Sequence, residues 1–183
     1  AIACYEKALV IAQEIEDRQG EAAWIGNLGT IYRRLREIKK AIEFYGEALN
    51  IAQEIGDRGG EGTWFGGLGN VYRDINEIEK AVEYYSKALK IAQEIGDKGN
   101  EGTCLNNLGD IFRNNKKYEG ALAFYMLAKD IFTQIEDPDL LTTESNLKNL
   151  KEELGEREFE QLAAEVESKK EEIVRKMLEE ING

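Results

Sequence analysis

The chain repeats itself every 40 residues. Ala1, Ala41, Ala81 and Ala121 fall in register, as do Tyr5, Tyr45, Tyr85 and Tyr125. The phrase IAQEI recurs at 11–15, 51–55 and 91–95. A fixed period of this size restricts a chain to stacked-repeat architectures, in which each unit contacts its neighbours. Such scaffolds work by presenting a surface rather than a reactive centre.

The spacing inside each period is helical. Ile25, Leu28 and Tyr32 step by three and four, as do Phe65, Leu68, Tyr72 and Leu105, Leu108, Phe112. Each set predicts one stripe along a helix, termed A. Ala41, Tyr45, Ala48, Ala52 and Ile55 make a second stripe on a helix termed B, which recurs at 81–95 and less regularly at 121–135. Gly56 and Gly96 stand where a left-handed helix end is wanted, and Asp57 and Asp97 can cap the next helix A. Propeller blades also repeat near this length, but they need strands that alternate with period two, and nothing here alternates. The spacing predicts an all-α fold.

Leu28-Gly29-x-x-Tyr32, Leu68-Gly69-x-x-Tyr72 and Leu108-Gly109-x-x-Phe112 resemble the first-helix signature of tetratricopeptide repeats. Ala41-x-x-x-Tyr45-x-x-Ala48 and its copies resemble the second-helix signature. The resemblance implies a right-handed α-solenoid of antiparallel helix pairs. Gly lets the two helices approach closely, and the small positions receive the partner's aromatic ring. The period of 40 exceeds the usual one of about 34, Trp24 and Trp64 fall one place early, and the only proline is Pro138. The longer form is similar to kinesin light chains, Pins-type polarity adaptors and many microbial signalling proteins.

In this reading residues 1–136 form the array: a half-repeat over 1–17 and repeats over 18–57, 58–97 and 98–137. Residues 138–183 form a terminal half-repeat and a long capping helix. Residue 1 begins inside a helix B whose helix A is absent, which predicts that the chain is a piece of a longer array. After Pro138 the register breaks, with Lys148 and Asn149 in place of Leu and Gly. Leu140, Leu141, Leu147, Leu150 and Leu154 still predict a helix over 138–154. Residues 156–181 read as one amphipathic helix with Phe159, Leu162, Ala163 and Val166 on its inner face. Its second half, carrying Ile173, Val174, Met177, Leu178 and Ile181, is expected to be a solvated tail, a helix packed on a twin chain, or a lead into a further domain.

The resemblance places partner binding on the concave face lined by helix A. That stripe carries Ala23, Gly26, Thr30, Arg33 and Arg34, then Thr63, Gly66, Asn70, Arg73 and Asp74, then Thr103, Asn106, Asp110, Arg113 and Asn114. Arg33, Arg73 and Arg113 recur at one position, and three guanidiniums with Asn70 and Asn106 could clamp the carboxylates of an acidic peptide. The alternative is that each Arg pairs with an acid of a neighbouring helix. Gly66 and Gly26 either bare the backbone for a partner or mark local looseness, since each interior glycine costs a helix about 1 kcal/mol relative to alanine.

Composition narrows the chemistry. A net charge of −12 disfavours nucleic acid, which needs clustered cations. No apolar run approaches about 18 residues, so no membrane partner is expected. Without histidine, the commonest general base and metal ligand is missing, and no metal site, cofactor or catalytic residue is expected. Gly66-Gly67-Leu68-Gly69 follows no strand and matches no nucleotide loop. Asp137-x-Asp139 lacks the rest of a calcium loop, and Glu152-Glu153, Glu171-Glu172 and Glu179-Glu180 read as solvated faces. Cys4 and Cys104 sit in apolar helical contexts, Cys104 at the position held by Trp24 and Trp64, a usage that suits a reducing cytoplasm. The expected function is non-catalytic protein binding, in the sensor or adaptor part of a larger signalling protein. Two alternatives stand: self-assembly through the terminal helices, or the regulatory region of an enzyme whose catalytic domain lies elsewhere.

Overall fold

A computed structural model describes residues 2–182, with side chains described through Glu179. The expectations for Ala1, Glu180 and Ile181 therefore lie outside the described residues or side chains. Among the described residues the chain is helical, without strands, and it divides into two compact units, to Ile95 and from Gly96.

The first unit holds α1 (Ile2–Glu14), α2 (Arg18–Arg34), α3 (Ile38–Ile55), α4 (Arg58–Asp74) and α5 (Ile78–Ile95). Consecutive helices pack as hairpins, and α2 also touches α4. The expected caps are in place. Gly56 ends α3 at φ 70°, its N–H bonded to the carbonyls of Ala52 and Gln53. The Asp57 carboxylate accepts the Gly60 N–H at 2.9 Å, and Asp17 accepts that of Gly20 at 2.8 Å. The helix A to helix B turns pass through the left-handed region at Arg36 and Asn76, a feature the composition of those turns does not announce.

The core follows the two stripes. Ile25, Leu28, Ala41, Tyr45, Ala48, Ala52, Trp64 and Leu68 are buried. Tyr45 lies between two glycine-lined helices: a Cβ on Gly29 would stand 3.1 Å from its ring, and one on Gly67 would stand 2.6 Å from it. Gly26 is buried under the Trp64 ring, so it is a packing residue and does not bare the backbone as the concave stripe predicts. Cys4 is exposed, against the apolar setting expected for it.

The IAQEI phrase has a structural explanation. Its first Ile and its Ala are buried at Ile51, Ala52, Ile91 and Ala92, whereas its last Ile, at Ile55 and Ile95, is exposed, against the stripe expected for Ile55. Its Gln and Glu bond the helices A on either side: Gln13 donates forward to Glu21 on α2 at 3.0 Å, and Glu54 on α3 pairs back with Arg18 on α2. Arg58 repeats the arrangement, holding the buried Glu61 at 2.6 Å and reaching Glu94. Each Arg thereby ties its own helix to the following helix B. Sequence periodicity alone does not reveal these clamps; the recurrence of Gln and Glu inside the phrase was the available signal.

The second unit holds α6 (Lys98–Asn114), α7 (Tyr118–Gln134), α8 (Leu140–Leu154), α9 (Glu156–Glu167) and α10 (Lys170–Asn182). Helix α7 is its centre and packs on all four others. Cys104 is buried, as expected of a small hydrophobe. Leu141 departs from its expected stripe and is 72% exposed.

The expected single helix over 156–181 is instead two. It breaks at Ser168–Lys169, and α10 folds back onto α7 rather than projecting. Val166 and Val174 are buried on the two sides of the break, and Lys170 reaches Asp130 and Glu167, both at 2.6 Å. The reason lies in α7, whose outer face turns apolar in this copy. Ala123, Met126 and Leu127 stand where the earlier copies carry Glu43 and Glu83, Gly46 and Ser86, Glu47 and Lys87. An apolar outer face stays in water only at a cost in free energy, and α9 and α10 cover it.

Candidate functional site

The helix A stripe expected to bind a partner is largely engaged within the protein. Its periodic positions Thr30, Asn70 and Asp110 each meet the buried tyrosine fifteen residues on. Thr30 Oγ1 lies 2.9 Å from the Tyr45 hydroxyl, Tyr85 donates to Asn70 at 2.8 Å, and Tyr125 donates to Asp110 at 2.6 Å. A buried hydroxyl needs a partner, and these three residues supply it. Burial pushes the Tyr125 hydroxyl well above the usual tyrosine range, and the Asp110 carboxylate beside it pushes further the same way. The phenol therefore stays protonated and acts as a donor.

The arginines are partly engaged as well. Arg33 pairs with Asp74 at 2.9 Å, and Arg113 lies 3.7 Å from Glu153. Asn106 is buried and accepts from Asn146 at 3.3 Å. These are contacts to neighbouring helices, the alternative open at the sequence level. Arg73 is half-buried, while Arg34 is exposed. A Cβ on Gly66 would meet nothing within 4 Å, so Gly66 alone of the two stripe glycines keeps free space above it.

The first unit thus brings Thr30, Arg33, Arg34, Gly66, Asn70 and Arg73 onto α2 and α4; the second holds Asn106, Asp110 and Arg113 on α6. A further concavity, unannounced by the repeat pattern, opens between α7, α8 and α9. It has a volume of about 480 Å³ and is lined by Leu122, Met126, Leu147, Phe159 and Ala163, with lysines at its rim. Among the described residues there is no group of three or more His, Cys, Asp or Glu able to hold a metal ion. Among them, too, no helix is long and apolar enough to cross a membrane.

Comparison with known proteins agrees with the fold. The tetratricopeptide repeat family model matches at residues 1–54, 21–94 and 60–134. Among solved structures, BtubC (BKLC) from P. vanneervenii is similar at 25% sequence identity with a TM-score of 0.74. That match covers 96% of this chain and 72% of that one. A search of curated proteins finds no match. Three overlapping family matches, consecutive helix hairpins and the Gly–Tyr contacts between them lead to one conclusion: this chain belongs to the tetratricopeptide repeat family.

Proposed function

We propose that the chain is a non-catalytic scaffold that binds a protein or peptide through the helix A faces of its units. By family analogy it is the sensor or adaptor part of a larger signalling protein. The observation that carries the reading is family membership, because tetratricopeptide repeats generally mediate protein–protein interaction. The surface we assign to the partner is made of the stripe's arginines and Gly66, which stay at least partly exposed. In the first unit that is Arg34, Gly66 and Arg73, with the Arg33–Asp74 pair at its edge. In the second it is Arg113, whose pairing with Glu153 is long at 3.7 Å. Thr30, Asn70, Asn106 and Asp110 support these residues from behind through their bonds to Tyr45, Tyr85, Asn146 and Tyr125. The two free thiols support a reducing, cytoplasmic setting.

The test is a pull-down of partners followed by affinity measurement with R73E/R113E. Reduced affinity for an identified partner is expected, and unchanged affinity would sink the assignment. One observation favours self-assembly as a second reading: Ile11 on α1 and Ile15 in the turn after it are 57% and 67% exposed. Mass measurement across concentration separates the two, since a persistent monomer removes self-assembly. The C-terminal half of that idea is weakened by α10, which packs on its own α7.

A further inference from the structure

The turn joining α2 to α3 carries more positive charge than the matching turns of the next two copies, of which the later, 113–120, holds three cations and one acid. Residues 33–40 hold five cations (Arg33, Arg34, Arg36, Lys39, Lys40) and one acid, Glu37. The same stretch of the next copy, 73–80, holds two cations and three acids. The change lies at three positions: Arg34 replaces Asp74, Arg36 replaces Asn76, and Lys39 replaces Glu79.

Arg33 pairs with Asp74, and Lys40 lies over the Tyr32 ring and 3.8 Å from Glu37. Arg34, Arg36 and Lys39 are exposed, and among the described residues none of them makes an ion pair. Three unneutralised cations in one turn of a chain with 36 acids repel one another without relief inside the fold. Two further details point the same way. Helix α3 has no acid in its first turn, whereas α5 has Glu79 and α7 has Glu119 there. Leu35, between Arg34 and Arg36, is 57% exposed.

We propose that this turn is a docking site for an acidic peptide segment: its carboxylates meet Arg34, Arg36 and Lys39, and an apolar side chain seats on Leu35. Charge complementarity selects the occupant. Screening within about 8 Å at physiological salt lets the patch act locally despite the net charge of −12. A short segment meets only the turn, whereas an anionic membrane plane would also face the exposed acids Glu37, Glu43 and Glu47. The proposal rests on the protein-binding reading above, but uses residues outside Arg73 and Arg113.

The test titrates the full chain into a fluorescent decapeptide carrying four glutamates around a central leucine. Binding is expected, weakened about tenfold by R36E/K39E and by added salt, and lost with the glutamine version of the peptide. Both side chains are exposed, so helicity by circular dichroism stays that of the parent chain. Equal affinity of R36E/K39E, equal affinity for the glutamine peptide, or no binding to the parent chain overturns the proposal. Binding to phosphatidylserine vesicles without binding to the peptide overturns it in favour of a membrane. A partner whose affinity falls with R73E/R113E while the peptide fails to bind leaves the scaffold reading standing and removes this one.

Discussion

Met177 lies over Gly120, its methyl carbon 2.6 Å from where a Cβ on that glycine would stand. The two earlier copies have Lys40 and Lys80 at this position, each lying over a tyrosine ring. The third copy gives up that lysine, and α10 takes the space. Its aromatic pair, Phe112 and Phe124, is fully covered, whereas Tyr32–Phe44 and Tyr72–Tyr84 remain half-buried stacks.

Replacing Gly120 by Lys, the residue of the other copies, should therefore undock α10. Overpacking at such a contact costs about 1–3 kcal/mol. Thermal denaturation would register the loss, and trypsin should cut at Arg175 and Lys176 faster than in the parent chain. Unchanged cleavage would mean that Gly120 does not hold the helix.

Neighbouring glycines on α4 should respond with opposite sign. Gly66→Ala fills free space and removes a helix-interior glycine, a gain of up to about 1 kcal/mol. Gly67→Ala drives a methyl to 2.6 Å from the buried Tyr45 ring and should cost about 1–3 kcal/mol. Chemical denaturation of the two variants decides the matter, and equal effects would contradict the packing described. A loss of partner affinity in Gly66→Ala, with stability gained, would further mark the space above it as part of the binding surface.

The tyrosine bonds should differ in strength with the charge of the acceptor. Tyr45→Phe, which leaves the neutral Thr30, should cost about 1 kcal/mol. Tyr125→Phe leaves the carboxylate of Asp110 without its donor and should cost about 1.5–3 kcal/mol. Denaturant midpoints would give the order, and a reversed order would count against the assignment.

Alkali should loosen the second unit. Burial pushes the Cys104 thiol up to about 12 from an ordinary 9.0, helped by the carboxylates of Asp97 and Glu101, and Tyr125 moves the same way. Both groups are neutral when protonated, and their folded values lie above the unfolded ones. Their contribution is complete below pH 9 and is lost as the pH rises toward 12. Melting temperatures should fall above pH 9, less steeply in Cys104→Ala. Thiol reagents at neutral pH should label exposed Cys4 and leave Cys104 intact until unfolding.

Much of this was legible from periodicity. The spacing of Leu28, Tyr32, Tyr45 and Ala48 determined two helices per 40 residues, and Gly56 with Asp57 marked where one ends and the next begins. These are local matters, set by a helical period and by backbone geometry at a few residues. Whether Thr30, Asn70 and Asp110 face a partner was not local. Helical spacing places them on the outward stripe, yet the hydroxyl that engages each comes from a different helix. The same holds for Gly26, which reads as exposed until the Trp64 ring is laid on it.

The sequence by itself determined the repeat, the helix pairs, the Gly–Tyr packing and the family, because each depends on residue type at a fixed spacing. Only the tertiary structure decided that α10 turns back at Ser168, that the arginine and asparagine stripe is mostly occupied, and that Arg34, Arg36 and Lys39 stand unpaired. Those outcomes depend on which side chains from distant helices come within a hydrogen bond or a van der Waals radius, a distance that no one-dimensional period contains.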